Sequence, residues 1–375
     1  MEARSSALRV KYLDIARTIA ILSITVNHAV NRSFAVNSNQ YAEFHEIPLG
    51  LTGLKTVIYA FSRIGVPLFL MISGALLLPR DYSGEKTTKF LKHNWLRLLV
   101  ITELWLAIMF WYKQLLPGSI LFSKGLGVCL VRFVLTLLFI KPVTMGSMWY
   151  MEMILCVYLL IPLLSFSVKQ IDFKYFLLPM SIVVFCSYIL PDLNGILVAL
   201  GRPGQLKTTL ESANVFSMFV VCLLLGHFLN AGVLARVSRR WLWCFLVVSS
   251  VCFCLFQFWF FSREVDFVVG KGYHSIFVML PAIPIFELLR RHEYAETASP
   301  GMRVCTELSR IAFGIYFIHI CIMEGLKAVI NRYHLDVTLM PKFLLLELVS
   351  FGGSVLLIKI LERNRWIAKY LLGIK

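Results

Sequence analysis

The sequence predicts an all-α bundle of about ten membrane-spanning helices, with both termini cytoplasmic. Three observations carry that expectation. The 375-residue chain is 58% hydrophobic and only 15% charged, with a mean hydropathy of +0.76, a balance that belongs to polytopic membrane proteins. Apolar runs long enough to span a bilayer recur along it, separated by short polar breaks. Basic residues concentrate in alternate breaks, as cytoplasmic loops require. Residues 1–375 therefore read as a single integral membrane domain.

The first run, 12–31, opens on Tyr12-Leu13-Asp14-Ile15-Ala16-Arg17 and ends near Asn27-His28. Arg17 and His28 are eleven positions apart, which at about 100° per residue brings them to within roughly 20° of one direction and about 16 Å along the axis. Asp14, one turn before Arg17, shares that face. Ionisable groups at membrane depth cost roughly 2.5–3.5 kcal/mol each on insertion scales, so they face a cavity or a partner. An ion pair accounts for Asp14 and Arg17 but not for His28. That histidine reads either as bonded to a neighbouring carbonyl or as a proton-transfer group, because imidazole takes and returns protons near neutrality. Asn27 reads equally as a ligand-holding residue or a helix-packing one.

The second run, 56–78, carries Arg63 near its outer end or in a cavity, a candidate anion ligand. Its Gly65, Ser73 and Gly74 permit close helix approach, and Pro67 frees a carbonyl one turn back. Lys92 and Arg97 introduce the third run, 95–115, as lipid-headgroup contacts or as a dock for a phosphorylated cofactor. The stretch 120–140 is apolar but broken by Gly125, Gly127 and Arg132, and reads as an amphipathic or partly inserted helix. In the run 148–166, Trp149 and Tyr150 suit either an interfacial belt or a substrate site. Glu152 belongs in a cavity, paired with Arg63 or Arg132. Further runs fall at 174–191, 213–232, 241–261 and 273–289. The run 311–330 places His319 near mid-span with Glu324 further along, and 343–361 closes the series.

The net charge of +16, from 37 basic and 21 acidic residues, would suggest nucleic acid on a soluble chain; here it marks loops. Arg4, Arg9 and Lys11 precede the first run. Arg80, Lys86, Lys89 and Lys92 follow the second, Arg236, Arg239 and Arg240 the sixth, and Arg290, Arg291 and Arg303 the eighth. Arg363, Arg365, Lys369 and Lys375 end the chain. Ten spans put these loops on one side. Lys113, Lys124, Arg132 and Lys141 then fall on the other, so either 120–140 crosses or those charges meet an external anion. The first run lacks a clean cleavage site and is expected to stay. The nine cysteines are scattered with no metal-like spacing and read as small apolar fillers. No internal repeat or low-complexity tract stands out, and no segment is long enough for an attached soluble catalytic domain.

Four blocks in order give the chain a resemblance. Asp14, Arg17 and His28 match an Asp…Arg-x10-His opening. Gly65 to Gly74 resembles a Gly-Val-Pro-Leu-Phe-Phe-x-Ile-Ser-Gly block, with Leu70 at the second phenylalanine. Met148-Trp149-Tyr150 with Tyr158-Leu159-Leu160-Ile161-Pro162 resembles a Leu-Trp-Tyr block, and Phe313 to His319 a Gly-Ile-Tyr-x-x-His block. Together they resemble acyltransferase family three, integral membrane sugar O-acyltransferases, in its minimal form without a hydrolase-like domain. The basic segment before the third span is thinner here, with His93 and Asn94 inside it.

The resemblance implies acyl transfer in the bacterial inner membrane. A cytoplasmic acyl-CoA, foremost acetyl-CoA, would serve as donor, and a hydroxyl of a cell-surface glycan or its lipid-linked precursor as acceptor. No metal and no nucleic acid are implied. His28 would act as general base or carry the acyl group, and Asp14 would balance Arg17. Glu152 and His319 would hold the acceptor or relay a proton. Arg17, Lys92 and Arg97 would meet the donor, and Asn27, Arg63, Trp149 and Tyr150 the acceptor. The competing reading is a proton-coupled transporter of an acidic or acylated solute, although neither an inverted repeat nor paired broken helices support it. A membrane anchor without chemistry would leave the in-membrane charges unexplained.

Overall fold

The computed structural model describes residues 11–34, 47–116, 125–141, 148–202, 206, 215–263, 273, 275–292, 294 and 299–374. Arg4, Arg9, Lys124 and Lys375 lie outside them. All regular structure among the described residues is helical. The helices are α1 (Lys11–Ser33), α2 (Leu49–Ser62), α3 (Gly65–Leu77), α4 (Glu85–Phe90), α5 (Leu96–Leu115), α6 (Leu126–Leu137), α7 (Trp149–Gln170) and α8 (Phe173–Val184). They continue with α9 (Leu190–Ala199), α10 (Val215–Asn230), α11 (Arg239–Ser262), α12 (Ile276–Met279), α13 (Ala282–Arg291), α14 (Pro300–Arg332), α15 (Leu339–Leu361) and α16 (Arg365–Tyr370). Wider π-helical turns at Leu91–Trp95 and Phe185–Ile189 join α4 to α5 and α8 to α9.

Among the described residues, eight of the ten expected spans appear as helices of crossing length and apolarity: α1, α2–α3, α4–α5, α7, α8–α9, α11, α14 and α15. The other two are shorter. The run 213–232 becomes the 16-residue α10, about 24 Å long. The run 273–289 is divided between α12 and α13 at Leu280 and Pro281, where proline can continue no hydrogen-bond ladder from its own nitrogen. The ambiguous stretch 120–140 contains the 12-residue α6, at about 18 Å too short to cross. It packs on α5, where Phe133 meets Phe110 and Trp111 at 5.2 and 5.4 Å between ring centres.

Helix α1 lies at the centre because its buried side is built from small residues. Ala16, Ala20 and Ala29 are fully buried, and the helix packs against α2, α3, α13, α14 and α15. The α2–α3 span breaks between Ser62 and Gly65. Pro67 has no N–H to return to the Arg63 carbonyl, which loosens the ladder there. Gly65 then lets α3 close on α1: a Cβ at that position would stand 2.6 Å from the Ala20 carbonyl oxygen.

Two further contacts fix the ends of the bundle. Glu287 on α13 is fully buried and accepts hydrogen bonds from Arg290 at 2.8 and 2.9 Å and from Arg291 at 2.5 Å. Arg291 also donates to the Val237 carbonyl at 2.6 Å. Near the C-terminus, Arg97 donates to the Lys369 carbonyl at 3.0 Å and Trp105 Nε1 to the Leu371 carbonyl at 2.8 Å. Trp105 also stacks flat on Phe317 at 4.9 Å. The tail is thereby docked against α5 and α14.

Candidate active site

The first turns of α1 bury a carboxylate. Asp14 is 3% exposed, and its Oδ1 accepts a 2.6 Å hydrogen bond from Ser309 Oγ on α14. Arg17 Nη1 donates to the same Ser309 oxygen at 2.9 Å and stands 3.8 Å from Asp14 Oδ1. Ser309 therefore bridges the pair that the sequence placed on one face. Thr18 reinforces the junction by reaching both the Asp14 carbonyl, at 2.9 Å, and the Cys305 carbonyl, at 3.0 Å. The bridged carboxylate keeps the guanidinium from swinging away.

From Arg17 a cavity of about 550 Å³ runs into the bundle between α1, α3, α7 and α14. Its cationic end carries Arg17, Arg80 and Arg310; its other end is lined by Phe69, Tyr150 and Tyr316. Ser73 and Tyr158, 3.2 Å apart, make a polar step along the wall. A second cavity of about 540 Å³ adjoins it through Arg310 and is lined by Arg97, Glu362, Arg365 and Lys369. Arg310 is already bound to Glu307 at 2.5 Å and Glu362 at 2.6 Å. Of the groups lining this groove, Arg97, Arg365 and Lys369 supply its excess positive charge.

At the far end of α1, His28 meets His319, with ring centres 5.3 Å apart and the planes tilted by 42°. Arg32, one turn beyond His28, places Nη1 3.4 Å from His28 Nδ1 and donates to the His28 carbonyl at 3.2 Å. The same arginine pairs with Glu324 of α14 at 2.7 Å. His319 is fully buried, and its Nδ1 donates to the Ile315 carbonyl at 2.7 Å. Tyr316, at the inner end of the cavity, lies 6.4 Å from His319 and 5.8 Å from Tyr150 between ring centres. One aromatic layer thus separates the cavity from the histidine pair.

The remaining candidates fall into four groups. Trp149 and Tyr150 belong to an aromatic run that continues through Tyr273, 5.4 Å from Trp149, to Arg63. Arg63 is buried, with its guanidinium 4.3 Å from the Tyr273 ring centre and 5.6 Å from that of Tyr59, a cation–π seat. Asn27 ties helices together: it donates to Ser62 Oγ at 3.0 Å and accepts from Asn31 at 3.1 Å. Glu152 is half-buried on the first turn of α7 and makes no ion pair with Arg63 or with the exposed Arg132 among the described residues. Lys92 is exposed and lines neither cavity, whereas Arg97 lines the basic groove.

Sequence reasoning missed Ser309, Arg310, Arg32 and the tail residues Arg365 and Lys369 as members of the site. Arg32 was within reach, since it follows His28 by four and so shares its helix face. Ser309 gave no signal: a serine two turns before Tyr316 gains meaning only when α14 is laid against α1.

A family model described as acyltransferase domain, that of acyltransferase family three, matches residues 10–359. No curated protein and no solved structure matches the chain.

Proposed function

The chain belongs to that acyltransferase family, and from this premise we propose that it is an O-acetyltransferase that moves an acyl group from a cytoplasmic acyl-CoA to a hydroxyl of a cell-surface glycan or its lipid-linked precursor, releasing the thiol. The observation that carries this reading is the cavity that runs from Arg17, Arg80 and Arg310 to Tyr150 and Tyr316, beside the histidine pair. A thioester donor has a charged, phosphorylated end and a long, mostly apolar arm. The basic groove at Arg97, Arg365 and Lys369 suits the phosphates, by charge-assisted hydrogen bonding. The cavity suits the arm, and Arg17, held by Asp14 and Ser309, sits at its entrance. The His28–His319 pair supplies the proton transfer that a hydroxyl nucleophile needs. Trp149, Tyr150 and Arg63 offer stacking and cationic contacts for a sugar-bearing acceptor.

On this reading the Arg17 end of the bundle faces the cytoplasm of a bacterial inner membrane and the His28 end faces outward. The test is transfer of labelled acetyl from acetyl-CoA to endogenous glycans in membranes holding wild type, Arg17→Ala or His28→Ala at matched protein levels. Label in a glycan with wild type, lowered at least about 100-fold in both variants, is the expected result. Transfer that persists in Arg17→Ala and His28→Ala would remove the first helix from the site. Solute flux in proteoliposomes without any donor, coupled to protons, would favour transport instead.

A further inference from the structure

The two imidazoles are held by partners of opposite chemistry. An arginine can only donate, so the contact between Arg32 Nη1 and His28 Nδ1, at 3.4 Å, makes Nδ1 the accepting atom. The proton of a neutral His28 therefore sits on Nε2. A carbonyl can only accept, so the 2.7 Å bond between His319 Nδ1 and the Ile315 oxygen puts the proton of His319 on Nδ1. His319 Nε2 is then a bare lone pair, buried and without a hydrogen-bond partner among the described residues. Arg32 is held to its task by Glu324, at 2.7 Å, so the polarity of His28 is fixed by an ion pair that bridges α1 and α14. The more open member of the pair, His28, presents an N–H, while the enclosed member, His319, presents the base.

The geometry points to a division of labour: His319 takes the proton of the acceptor hydroxyl, and His28, set by the positioning pair Arg32 and Glu324, donates its Nε2–H to the developing oxyanion. This assignment rests on the acyl-transfer reading above. The hydroxyl O–H bond breaks and its proton passes to His319 Nε2 while the oxygen bonds to the thioester carbonyl carbon. The carbonyl π pair moves onto oxygen, where the His28 N–H meets it. The intermediate then collapses, the C–S bond breaks, and the leaving thiolate takes the proton back from His319. Both rings end as they began.

Glutamine separates the two roles, because its amide keeps an N–H near the position of imidazole Nε2 but offers no basic nitrogen. The expected result in purified protein is a kcat about tenfold below wild type for His28→Gln and roughly 1,000-fold below for His319→Gln. Nitrogen-15 spectra of histidine-labelled protein in nanodiscs, assigned with the same two variants, give a readout independent of turnover. They should show His28 protonated on Nε2 and His319 on Nδ1. Glu324→Gln should mix the His28 tautomers and lower kcat without moving the donor KM, and Glu324→Asp should restore both. A His28→Gln enzyme slower than His319→Gln, or one shared tautomer for both rings, would overturn the assignment alone. No transfer by the wild-type protein with any acyl-CoA would sink the transferase reading and this assignment with it.

Discussion

Asp14 and Arg17 are three residues apart, yet a serine from the other end of the chain joins them. The pair itself is legible in the sequence, because a carboxylate and a guanidinium on one helix face inside an apolar run demand a reason. Their bridge is not, because Ser309 is ordinary until α14 packs on α1. A hydrogen bond to a charged group contributes about 1.5–3 kcal/mol, so Ser309→Ala should raise the donor KM roughly tenfold or more through a less fixed Arg17. An unchanged KM in steady-state transfer would show that Asp14 orients Arg17 unaided. Glu287 offers a structural contrast. It is fully buried between Arg290 and Arg291, and Glu287→Ala would leave two cations short of their carboxylate. The expected cost is about 3–5 kcal/mol, read as earlier thermal unfolding of the detergent-solubilised protein.

Helix existence was legible from apolar runs, while helix ends and lengths were set by neighbours. The run 273–289 has the apolarity of a span, but Pro281 divides it and Glu287 ties its second half to two arginines. Gly74 was readable as a close-approach residue, but its partner was not. Gly74 lies directly against the backbone of Leu223, and Gly226 against that of Met71, so α3 and α10 meet with no side chain between them. Small residues of this kind let helices associate where lipid supplies no hydrophobic driving force. Gly226→Val should therefore separate α3 from α10, lower the melting temperature and widen the cavity wall at Ser73. Gly127→Ala on α6, where an added Cβ meets nothing within 4 Å, is the control. Equal melting curves for the two variants would contradict the close crossing.

At the scale of the whole molecule, one end of the bundle is cationic and the other holds the histidine pair. The sequence made the charge asymmetry visible, as basic clusters between alternate runs. It could not place Arg365 and Lys369 beside Arg97, because that juxtaposition depends on the tail docking through Trp105 and Leu371. If the groove holds donor phosphates, Arg365→Gln with Lys369→Gln should raise the donor KM severalfold and weaken its dependence on salt, with kcat nearly unchanged. An unaltered KM would leave those residues as basic charges of the cytoplasmic tail with no part in donor binding.

On the acyl-transfer reading, acyl groups enter at the Arg17 end and are used at the His28 end. Proteoliposomes with the protein in one orientation test it most directly, with acetyl-CoA supplied on one side and the glycan acceptor confined to the other. Transfer should occur when the donor is on the Arg17 side and the acceptor on the His28 side. Transfer that requires donor and acceptor on the same face would rule out passage of the acyl group from the Arg17 end to the His28 end.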